Sequence, residues 1–76
     1  MKNKLNNREI GKRIKELRLS RGISQDALAE MLDISVSHMG ILERGGRGLT
    51  LPNCVLLCNI FNVSADYIAT GRGESP

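Results

Sequence analysis

Residues 25–44 read QDALAEMLDISVSHMGILER, and the fold is decided in this stretch. Two short helices that cross steeply through a tight turn make three demands on sequence. They need a small residue where they touch, a residue tolerant of positive φ in the turn, and apolar residues to cement the pair. Ala29 meets the first demand. Asp33 stands four positions later, where glycine is the usual answer, and aspartate tolerates the left-handed region better than most residues. Leu28, Leu32, Ile34, Met39 and Leu42 fall where the two helices must join. Ser24 and Ser35 are placed to cap the two helices, and Gly45 and Gly46 close the second. The stretch predicts a helix-turn-helix.

On the N-terminal side, residues about 8–21 place Ile10, Ile14 and Leu17 at i, i+4 and i+7, a helical stripe that Gly22 stops. On the C-terminal side, residues 45–49 form a glycine-rich loop. Thr50 then caps a fourth helix with Pro52 in its first turn, running to about Phe61. Ser64 caps a last short helix carrying Tyr67 and Ile68, and Gly71 ends it. The expectation is an all-α domain of five short helices over 8–71, with a flexible arm at 1–7 and a disordered tail at 72–76. The fourth helix is apolar nearly all round, more than one core stripe requires. Leu56 and Ile60, at i and i+4, are open to two readings, plain core or part of a dimer surface.

A chain of 76 residues makes one small domain, expected to hold no separate ligand-sensing or catalytic unit. Domains of this size bury only about 60% of their unfolded surface and often lean on a partner subunit. The net charge of +3 is unevenly spread. Residues 1–22 carry eight Lys and Arg against Glu9 and Glu16, whereas residues 23–43 carry four acidic residues and no Lys or Arg. A basic first helix suits a polyanion, though a solvated helix face has the same composition. With Phe61 and Tyr67 the only aromatics, base stacking on single strands is disfavoured. Cys54 and Cys58 read as reduced, near-core residues, because a disulfide between them would close a very short, strained loop. Neither a signal peptide nor a long apolar span is evident, so a soluble cytoplasmic protein without membrane contact is expected.

The segment 25–44 resembles the helix-turn-helix of the Cro and phage-repressor family, also called the XRE family. The resemblance extends over about residues 8–71 without gaps. It takes in IGKRIKELRLSRGISQ at 10–25, LERG at 42–45 and NVSADYIATG at 62–71. Two departures stand out: Asp33 for glycine, and the loop GGRGLT, where the family usually has a basic residue and a proline. The resemblance implies a five-helix, lambda-repressor-like DNA-binding domain of bacterial or phage type, acting in transcription regulation at the nucleoid as a homodimer; with no room expected for an activation or effector module, repression by occlusion is the simpler output.

It also implies roles. Val36, Ser37, Gly40 and Ile41 match base-reading positions. Gln25, Ser35, His38, Arg44 and Arg47 match positions near the phosphate backbone. Arg18 and Glu43 match a structural ion pair between the first and third helices. For Val36 and Ile41 the residues alone leave two readings open, a widened core stripe or packing on thymine methyl groups in the major groove. Lacking Arg, Asn and Gln within the reading segment, the third helix is expected to leave part of its specificity to DNA shape.

Other functions have less to stand on. His38, Cys54 and Cys58 fit no zinc spacing, so no metal is expected, nor a cofactor or small-molecule ligand. One histidine, no evident carboxylate pair and no phosphate-cradling loop leave no machinery for an enzyme. The rival reading keeps the fold as a protein-interaction module, of antitoxin or antirepressor type, binding a partner through the fourth helix.

Overall fold

A computed structural model describes residues 5–73. They form five helices: α1 (Asn7–Ser20), α2 (Gln25–Met31), α3 (Val36–Arg44), α4 (Leu51–Phe61) and α5 (Ala65–Thr70). Residues 1–4 and 74–76 lie outside the described residues, and with them most of the expected arm and the end of the expected tail. Helix α1 begins at Asn7, within the span expected as an arm. Asn6 caps α1, its side-chain oxygen accepting from the backbone N–H groups of Arg8 and Glu9 at 2.9 and 3.2 Å.

All five helices start in the same way. Ser24, Ser35, Thr50 and Ser64 each accept a hydrogen bond from the N–H three residues on, as N-caps do. Four of the five ends also share one device, a residue in the left-handed region followed by an N–H that reaches back to a carbonyl of the last turn. The left-handed residues are Gly22, Asp33, Gly45 and Asn62. The returning bonds run from Ile23 to Arg18, Ile34 to Ala29, Gly46 to Ile41 and Val63 to Cys58, at 2.9–3.1 Å. Asp33, at φ 57°, thus does what the turn requires.

α1 packs on α3 and α5, α2 on α3, and α4 on α5. The core consists of Ile10, Ile14 and Leu17 from α1, Leu28, Ala29 and Leu32 from the α2 region, Met39 and Leu42 from α3, Leu57 and Phe61 from α4, and Ile68. Of the apolar α4 residues, only Leu57 and Phe61 are buried. Ile60 is half-buried against the core, whereas Leu56 is 40% exposed. Leu51 and Val55, which the sequence did not single out, are more exposed still, at 76% and 52%.

Gly11 sets how closely the helices approach. It is buried where α1 meets the end of α3, and a Cβ there would collide with the Leu42 carbonyl oxygen and lie 2.6 Å from that of Glu43. Both obstacles are backbone, so nothing nearby can turn aside. Gly11→Ala should therefore destabilise the domain by about 1–3 kcal/mol or more, read as a lower midpoint in urea unfolding. Asp33→Gly should move the midpoint the other way, relieving up to about 1 kcal/mol of left-handed strain.

Candidate nucleic-acid interface

Glu43 lies in α3 with its side chain only 3% exposed, a position that is costly for a carboxylate without partners. It has three donors. Arg18 of α1 approaches in a two-pronged pair, Nε to Oε2 at 2.6 Å and Nη2 to Oε1 at 3.1 Å, and Gln25 of α2 donates through Nε2 to Oε1 at 3.0 Å. Arg18 Nη1 also donates to the Ile23 carbonyl, at 3.0 Å, in the segment that joins α1 to α2. The ion pair implied by the resemblance is present, and Gln25 belongs to the same network. One carboxylate thus joins three helices and fixes the start of α2 relative to α3.

That framework presents the start of α3 outward. Ser35, Val36 and Ser37 are exposed, Val36 to 45%, so Val36 does not widen the core stripe. His38 and Ile41 are half-buried, and Ile41 Cγ2 would stand 3.1 Å from a Cβ at Gly46 in the following loop. Gly40 is buried rather than open to solvent. The Arg44 guanidinium lies back along the helix over it, Nη1 being 3.1 Å from where a Cβ would stand. Arg44 and Arg47 are themselves exposed.

The basic residues of α1 and its C-cap Arg21 divide into two groups, and Lys15 belongs to the exposed one. Three face the protein. Arg18 meets Glu43, and Arg13 donates to the carbonyls of Ile68 and Ala69, at 2.9 and 3.1 Å, closing the end of α5. Arg21 donates to the Phe61 carbonyl at 2.7 Å and sits over the Phe61 ring, 5.7 Å from its centre, at the end of α4. The positive charge that sequence reading took as a grip for polyanions is thus partly a set of internal braces. Arg8 and Lys12, four apart on α1, are exposed and share with Arg44, Asn6, Glu9 and Glu43 the wall of an open depression between α1 and α3. Sequence reading named neither as a site residue. Their i, i+4 spacing was visible, but the neighbouring Arg44 was not.

The helix-turn-helix family model HTH_3 matches residues 14–68. The HTH-type transcriptional regulator PrpR of Mycobacterium tuberculosis is 42% identical over 60 residues, which are 79% of this chain but 12% of that protein. The chain therefore spans a small part of PrpR. The uncharacterized HTH-type transcriptional regulator YazB of Bacillus subtilis is 39% identical over 62 residues, 78% of this chain and 86% of YazB. Among solved structures, the P22 c2 repressor bound to a synthetic operator superposes with a TM-score of 0.77 at 27% identity, covering 92% of this chain and all of that one. The chain belongs to the XRE-type helix-turn-helix family of DNA-binding transcriptional regulators, and its fold is lambda-repressor-like.

The Glu43 network should behave as a unit. Arg18→Met leaves a buried carboxylate with one neutral donor and should cost about 3–5 kcal/mol. The pair Arg18→Met with Glu43→Met should recover most of that loss. Urea unfolding of the two single variants and the double variant measures the coupling directly; additive losses would contradict it.

Proposed function

We propose that this chain represses transcription as a homodimer, laying α3 into the major groove of a palindromic operator and blocking access to the promoter. The observation that carries this reading is the exposed start of α3, held at a fixed angle to α2 by the Glu43 network, in a domain that aligns with an operator-bound repressor over 92% of its length. Val36 and Ser37 would meet base edges, Val36 packing on thymine methyl groups, with Ile41 at the margin. Gly40 would act by clearance, since it has no side chain and lies beneath Arg44. Ser35, His38, Arg44 and Arg47 would approach phosphates. Gln25 would do so from a side chain that Glu43 already orients.

Leu56, with Leu51 and Val55, leaves α4 an exposed apolar surface for a second copy. Two copies related by a two-fold axis would read half-sites about one helical turn apart. Such a regulator would act in the bacterial cytoplasm, at the nucleoid. No helix among the described residues is long and apolar enough to cross a membrane.

Selection of bound duplexes from a random pool should recover a palindrome, and binding to it should fall steeply with salt. Arg44→Glu with Arg47→Glu should abolish binding while leaving the oligomeric state unchanged. Replacing either arginine by alanine should lower the salt slope by about one. Leu56→Glu should weaken dimerisation and, through it, operator affinity. Recovery of no preferred duplex, with a partner protein lost in Leu56→Glu instead, would favour the interaction-module reading.

A further inference from the structure

Cys54 and Cys58 stand one turn apart on α4, and both are free and half-buried. Their four-residue spacing puts them on one face of the helix. Burial first, and then the neighbouring Cys58 sulfur through charge and a shared hydrogen bond, raises the Cys54 thiol above its ordinary value. Cβ atoms four residues apart on a helix are about 5–6 Å apart. A disulfide needs them at about 3.5–4.5 Å, so direct oxidation would deform α4. An ion between the sulfurs bridges the larger gap. The zinc–thiolate bond of roughly 2.3 Å sets the scale: two metal–sulfur bonds in line span about 4.6 Å, against about 2.05 Å for an S–S bond.

The ligand set also selects the ion. Among the described residues, no group of three or more His, Cys, Asp or Glu side chains is placed to hold a metal. A tetrahedral Zn(II) site would lack half its ligands, whereas a two-coordinate ion needs no more than two. Thiolate softness favours Cu(I) among such ions. The surroundings are apolar: Cys58 packs against the core, and the exposed Leu51 and Val55 fall on the same flank of α4 by their three- and four-residue spacing.

We propose that Cys54 and Cys58 form an intrachain dithiolate site for a soft, monovalent, two-coordinate cation of the Cu(I) type. Both thiols lose their protons to solvent and two S–Cu bonds form. The copper stays Cu(I) and no electron is transferred. The site is independent of how α3 meets DNA.

The test is anaerobic titration of the reduced, full chain with Cu(I) against a competing chelator, with stoichiometry from native mass spectrometry. One ion per chain is expected, and C54S and C58A should each lose about 100-fold or more in affinity as the chelate becomes a single thiolate. Zn(II) should bind far more weakly to the wild-type chain. Unchanged affinity in either variant, one ion per two chains, or equal affinity for Zn(II) would each overturn the proposal. Circular dichroism checks that the variants fold; if C58A loses helicity, C54S decides alone, since Cys54 is outside the core cluster.

Discussion

A carboxylate placed where water cannot reach it must be answered by donors from the protein, and in this domain that demand organises three of the five helices. Glu43 takes two hydrogen bonds from Arg18 and one from Gln25, while Arg18 also holds the carbonyl of Ile23. The two-pronged geometry fixes direction as well as distance, because a guanidinium meets a carboxylate edge to edge. The crossing of α1 and α3 is tight enough that only glycine fits at position 11, and the ion pair lies two turns further along α1. Packing sets how close the helices come, and the charge network sets how they are turned. The angle at which α3 is offered to a ligand follows from both.

The same economy governs Arg13 of α1 and Arg21 at its C-cap. Arg13 and Arg21 complete the C-terminal ends of α5 and α4, where the last carbonyls have no partner within their own helices. A short helix such as α5, six residues long, has little stability of its own and depends on such docking. Among the described residues, the positive face left to solvent consists of Arg8, Lys12 and Lys15 of α1, with Arg44 beside the first two. With α3 presenting Ser35, Val36 and Ser37, the result is a reader whose grip and whose selectivity come from different helices.

Much of the fold was legible because its signals are local. A serine or threonine oxygen meets an N–H three residues away, and a left-handed residue at 22, 33, 45 or 62 sends the next N–H back five residues. Such bonds form wherever the chain makes one turn of helix, so the caps at Ser24, Ser35, Thr50 and Ser64 marked the helix starts correctly. The cap at Asn6 was passed over, since it precedes the first apolar position by four residues. The Arg18–Glu43 pair was reached through resemblance, the helix ends mainly through glycines, and the core stripes through periodicity.

What tertiary structure alone decided concerns partners far apart in the chain. Arg21 and Phe61 are separated by 40 residues, Arg13 and Ile68 by 55. No periodicity tells an arginine that braces a carbonyl from one that faces solvent, because the two have the same spacing on the helix. The apolar fourth helix was ambiguous for the same reason: burial is a property of what packs against it, and Leu51, Val55 and Leu56 prove to be left outside while Leu57 and Phe61 fill the core. The sequence by itself determined where each helix starts and stops and that residues 25–44 make a helix-turn-helix. The crossing of those helices decided which charges brace the fold and which remain for a ligand.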